Sequence, residues 1–166
     1  MELIGVRVEL PANQPIVLLK ETGGTRYLPI WIGAVEATAI AFALQGVETP
    51  RPLTHDLFVS VLTETGIELT AVQVTDLQDG TFYADLHLRH GERTWTVTAR
   101  PSDAIALAAR LEGVPLLAAE QVLEDAGLEI DRTDEDGEHG VDAEEEVRQF
   151  REFLDQVTPS DFEGNG

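Results

Sequence analysis

Residues 69–100, LTAVQVTDLQDGTFYADLHLRHGERTWTVTAR, decide how the chain folds. Three runs of alternating apolar and polar residues, 69–77, 81–89 and 93–100, are separated by Asp79-Gly80 and His90-Gly91. Strand side chains point to opposite faces with a period of two, and Asp-Gly supplies the positive φ of a tight hairpin. The stretch therefore reads as an antiparallel meander. In its middle run Phe82, Ala84, Leu86 and Leu88 share one face, while Tyr83, Asp85, His87 and Arg89 share the other. One face is core; the other is wet or covers something.

Working toward the N-terminus, apolar β-branched runs at 3–10, 15–21 and 27–32 are parted by Pro11-Ala12-Asn13 and Thr22-Gly23-Gly24-Thr25, which predicts three more short strands. Residues 33–45 are rich in alanine, with Ile40, Ala43 and Leu44 at helical spacing and Gly46 placed to end a helix. Pro50 and Pro52 stiffen the next loop. Thr54 is expected to cap a second helix with Leu57, Phe58, Val61 and Leu62 as its apolar stripe and Gly66 beyond its end. On the other side of the meander, Pro101 opens a helix over 104–111 that Gly113 closes, followed by an apolar run at 114–117 and a helix at 120–126. The fold class that follows is mixed α+β, a largely antiparallel sheet including the meander, packed with three to four helices.

The full chain has 166 residues, 43% of them hydrophobic, enough for a real core and against wholesale disorder. Eleven Lys and Arg oppose 31 Asp and Glu, and a net charge of −20 repels nucleic acid and anionic membrane unless local groups or ions reverse the field. Residues 131–166 hold 13 of the acids and 3 of the bases, half of the excess charge. The chain divides into a domain at 1–130, an acidic linker at 131–141, an amphipathic helix at 142–158 and a disordered end at 159–166. Asp142 and Glu145 have capping spacing, and Val147, Phe150, Leu154 and Val157 form a stripe that such a helix cannot bury alone. It is expected to dock on the domain, on another subunit or on a protein partner.

The sequence has no cysteine, so disulfides, thiolate metal sites and a Cys nucleophile are excluded. There is no signal-peptide pattern at Met1, and the longest uncharged stretch, 37–47, is far short of the roughly 20 residues a membrane span needs. A cytoplasmic protein with no membrane association is expected.

Three groups of residues could carry chemistry. Arg51, His55 and Asp56 gather a guanidinium, an imidazole and a carboxylate at a helix start, the parts that hold a phosphate or shuttle a proton. Equally, Thr54 and Asp56 could serve only the helix terminus, with Arg51 and His55 satisfying carbonyls. Arg100, Ser102 and Asp103 lie where a strand becomes a helix: Arg100 could fork onto a phosphate, or bridge internally to Asp103 or Glu36, with Ser102 or the turn before it capping. Glu36 enters an alanine-rich helix where a carboxylate needs a partner, a metal or water. His87 and His90 lack a third ligand and do not read as zinc ligands.

Taken together, 28–33 (LPIWIG) with Glu36-Ala37, 50–56 (PRPLTHD), 79–84 (DGTFYA) and 99–108 (ARPSDAIALA) resemble, in order and spacing, the bifunctional nuclease (BFN) domain family over about residues 1–130. The resemblance implies a compact bacterial α/β protein, with relatives credited with degrading both RNA and DNA. Relatives often carry Asp where this chain has Thr98. The resemblance assigns no catalytic residues, so the site is read from residue chemistry. On the nuclease reading, Glu36, Asp56 and Asp103 bind a divalent cation, Mg²⁺ or Mn²⁺, with no organic cofactor. His55 is general acid or base, and Arg51, Arg100 and Ser102 complete the catalytic set acting on RNA or DNA. The alternative is a non-enzymatic binding or regulatory module whose acidic tail contacts protein. A homo-oligomer is expected on either.

Overall fold

The computed structural model describes residues 1–9 and 14–129. The linker, amphipathic helix and end expected over 131–166 lie outside the described residues, as does the Pro11-Ala12-Asn13 break. Two four-stranded sheets enclose one core. Strands β1 (Glu2–Glu9), β2 (Gln14–Lys20) and β3 (Arg26–Trp31) are followed by α1 (Ala34–Leu44) and α2 (Thr54–Glu64). The meander β4 (Glu68–Gln78), β5 (Thr81–His90) and β6 (Arg93–Ala99) leads into α3 (Pro101–Ala108), β7 (Leu116–Ala118), α4 (Glu120–Ala126) and β8 (Leu128–Glu129). The strand orders are β1-β2-β3-β8 and β6-β5-β4-β7.

The antiparallel mixed α+β class is as the sequence predicts, with four helices among the described residues. The expected single sheet is instead two, and β7 pairs with β4 in parallel, the return of a long crossover through β5, β6 and α3. Asp79 and Gly80 both have positive φ, 48° and 73°, the conformation of a two-residue hairpin whose twist matches its strands. The alternation in β5 holds: Ala84, Leu86 and Leu88 are buried and Tyr83 and Arg89 exposed.

Helix α3 is the centre of the molecule. Pro101, Ser102 and 104–108 are all buried, which its small side chains allow, because alanines let α1 and α2 approach closely. Three local expectations differ. Thr54 is the first helical residue of α2 rather than its cap; the N-cap is Leu53, whose N–H donates to Asp56 Oδ2 at 2.8 Å. Of the two caps open for α3, Ser102 is excluded and the turn before it holds, since Arg100 takes the N-cap position and Pro101, which needs no N–H partner, the first turn. The α2 stripe is largely bare: Leu62 is buried, but Leu57, Phe58 and Val61 stay about half exposed, because among the described residues α2 packs chiefly on α3 and β4.

Candidate functional site

Helices α1, α2 and α3 each carry an acid in the third helical position: Glu36, Asp56 and Asp103. A carboxylate there complements unpaired N-terminal amides and the positive end of the dipole, a sufficient local reason for all three. The fold then joins the three helix starts through side chains. Arg100, held extended before Pro101, donates from Nε to Asp103 Oδ2 at 2.7 Å, from Nη2 to Asp103 Oδ1 at 3.0 Å, and from Nη1 to Glu36 Oε1 at 2.9 Å. His55 Nε2 lies 3.2 Å from Asp103 Oδ1. Four of the seven candidate residues, Glu36, His55, Arg100 and Asp103, thus form one chain of contacts.

Electrostatics set the protonation of that chain. Burial pushes the Asp103 carboxyl up, but hydrogen bonds from Arg100 and His55, with their charges, outweigh it and hold the carboxyl below its ordinary range. Arg100 is in turn held more firmly protonated by Asp103 and Glu36. An ionised carboxylate only accepts, so His55 Nε2 carries the hydrogen of that contact, and in the neutral form of the ring the lone pair is on Nδ1. The His55 side chain is 17% exposed and the Arg100 side chain 65% exposed. Glu36 folds back over the start of its own helix, with Oε2 occupying the space where a side chain at Gly33 would begin.

Asp56 goes elsewhere. Its Oδ1 accepts from Arg110 Nε at 2.5 Å, and Arg110, only 9% exposed, also donates to the Ala106 carbonyl. The Arg110 hydrogen bond, helped by the Leu53 amide, lowers the Asp56 pKa. Arg110 was not singled out from sequence; following α3 with no motif around it, it carried no signal. The Arg51 side chain is exposed and makes no ion pair among the described residues. Ser102 is buried and, with Glu36 and Arg100, lines an open cavity of about 380 Å³ whose other walls include Trp31, Gly33, Thr81 and Phe82. Trp31 and Phe82 come from motifs quoted for the resemblance, but nothing local marked them as walls of one cavity.

Mg²⁺ or Mn²⁺ needs several oxygen ligands around one point. Among the described residues no group of three or more His, Asp and Glu side chains could hold a metal ion. Glu36 and Asp103 both accept from Arg100, and Asp56 from Arg110, so as arranged these carboxylates do not fit the ion. His87, read from sequence as no zinc ligand, lies 3.3 Å from the Gln73 side-chain oxygen. No helix among the described residues is long and apolar enough to cross a membrane.

The model of the bifunctional nuclease domain matches residues 17–131. Two curated relatives from Mycobacterium tuberculosis, "Uncharacterized protein MT1877" of strain CDC 1551 / Oshkosh and "Uncharacterized protein Rv1829" of strain ATCC 25618 / H37Rv, are each 53% identical over 163 residues, covering 98% of this chain and 96% of the relative.

Proposed function

The chain belongs to the bifunctional nuclease domain family, and on that premise we propose that it hydrolyses phosphodiester bonds of RNA and DNA, with low sequence specificity, at the cluster of His55, Asp103 and Arg100. The observation that carries the proposal is the Asp103 carboxylate, which receives both His55 and Arg100. Asp103 orients the imidazole and fixes its tautomer. Nδ1 of His55 takes the proton from the attacking hydroxyl or water and returns it to the leaving oxygen. Arg100 and Arg51, which has no ion pair among the described residues, neutralise the charge that grows on the phosphoryl oxygens, and the cavity beside Arg100 receives a flanking nucleotide.

One charge balance works against this site. Glu36 and Asp103 contribute two negative charges around a single Arg100, so an incoming phosphate must compete with Glu36 for the guanidinium. A divalent cation, Mg²⁺ or Mn²⁺, would have to displace Arg100 from Glu36 and Asp103 to find ligands, so the proposed steps use protein groups alone. The same pairing favours a second reading, in which the network only locks three helix starts together and the protein is a binding or regulatory module acting through protein contacts.

Incubating the purified full chain with single-stranded RNA and DNA, with and without EDTA and beside an Arg51→Ala, His55→Ala double variant, separates the two. Cleavage by the native chain and its loss in a folded double variant support the nuclease. Equal cleavage by both identifies a contaminant and leaves the module; loss with EDTA shows that an ion does enter.

A further inference from the structure

Of the four sheet edges among the described residues, three are guarded. β1 is interrupted by a bulge between Leu3 and Gly5, where the register with β2 shifts and Gly5 has φ 150°, and it bears Glu2 and Arg7. β7 and β8 are three and two residues long. β6 has no such protection. It runs seven residues in unbroken register with β5, ends the strand order of its sheet, and holds no charge from Thr94 to Ala99. Thr94, Thr96, Val97 and Thr98 are all exposed. A long, regular, uncharged edge presents unpaired N–H and C=O groups that only another strand satisfies in series.

The backbone phase of that edge follows from its hairpin. His90 and Arg93 flank the two-residue turn at Gly91 and Glu92, and a pair in that position exchanges both backbone hydrogen bonds. Alternation then turns the amides of Arg93, Trp95, Val97 and Ala99 toward β5 and those of Thr94, Thr96 and Thr98 outward. The Thr98 hydroxyl agrees, lying 3.3 Å from Asp85 Oδ1, since facing side chains are closer at the pairs without backbone bonds.

We infer that the β6 edge pairs with the β6 edge of a second copy of this chain, antiparallel about a two-fold axis at Thr96. The three outward residues are spaced symmetrically about Thr96, so one register satisfies all of them: Thr96 opposite Thr96, and Thr94 opposite Thr98, about six hydrogen bonds in all. Trp95 then lies beside the partner's Val97 on the core-side face, an aromatic and β-branched pair that extends the apolar surface of both sheets. The partner's Glu92 comes toward Arg100 at each end of the seam, opposite charges facing. The inference stands independently of the nuclease reading.

The chain has no native cysteine, which makes the test clean. Opposed residues at such a bonded pair have Cα atoms about 5.5 Å apart, within disulfide range. Light scattering should give the native full chain the mass of a dimer. Mild oxidation should cross-link Thr96→Cys to a dimer but leave Val35→Cys, on the bare side of α1, uncross-linked. Thr96→Pro removes only an outward N–H and should lower dimer affinity at least tenfold with an unchanged circular dichroism spectrum. If that variant does not fold, Thr96→Lys, which sets two like charges on the axis, should do the same. A monomeric native chain, failure of Thr96→Cys to cross-link, or a dimer that survives both substitutions would overturn the inference.

Discussion

Arg100 and Glu36 stand 64 positions apart in sequence, yet the guanidinium of one donates to the carboxylate of the other at 2.9 Å. That contact joins the start of α1 to the start of α3, and with the His55 to Asp103 contact it makes three helix termini into one polar surface. It also holds the guanidinium proposed to bind phosphate against a negative charge.

Glu36→Gln keeps an oxygen for Arg100 but removes that charge. Binding of a labelled single-stranded oligonucleotide, measured by fluorescence anisotropy, should strengthen several-fold, on the order of 1 kcal/mol. Because Arg100 is 65% exposed, the melting temperature should change little, consistent with a pair worth less than about 1 kcal/mol. Weaker binding would make Glu36 a ligand-contacting group rather than a competitor.

Gly33→Ala reaches the same contact by sterics. A Cβ at Gly33 would stand 2.2 Å from Glu36 Oε2, while the backbone, at φ −72° and ψ 157°, accepts alanine without strain. The Glu36 side chain must therefore swing aside. The variant should fold normally and match Glu36→Gln in oligonucleotide affinity.

Acid should destabilise the domain through Asp56 and Asp103, whose folded-state pKa values are both depressed. Their contribution is complete above the unfolded carboxylate value, about 3.9, and is lost as pH falls through the lower folded values. Urea unfolding should thus show stability flat above about pH 5 and falling below about pH 4. Asp56→Asn should flatten part of that fall. At neutral pH it should destabilise by about 1–3 kcal/mol, because Arg110, nearly buried, loses its carboxylate.

The two ends of the α2 stripe should behave differently. Leu62→Ala opens the core and should cost about 2–4 kcal/mol, whereas Phe58→Ala, at a side chain 46% exposed, should cost under about 1 kcal/mol in chemical denaturation. Equal losses would mean that the face is covered in solution.

The fold was legible wherever local chemistry sufficed. The alternation from Phe82 to Leu88 and the Asp79-Gly80 turn define a meander in any context. The split into two sheets was not legible, because the pairing of β7 with β4 and of β8 with β3 joins residues far apart in sequence. At the site, the Arg100 bridges were foreseen as one option, since a strand-end arginine has few directions in which to reach. The separation of Asp56 from Asp103 was hidden: it depends on Arg110, whose position beyond α3 no spacing encodes. The Leu57, Phe58 and Val61 stripe misled because helical periodicity reports an apolar face, whether or not a neighbour covers it.

On the proposed function, His55 and Asp103 act as one acid–base pair on a phosphodiester. A double-mutant cycle on the folded full chain tests it, with initial rates on a fluorogenic RNA for His55→Ala, Asp103→Asn and the combined variant. Each single change should lower the rate at least about 100-fold, and the combination should be no slower than the slower single variant, because the pair works as a unit. Native rates in either folded single variant would contradict the assignment.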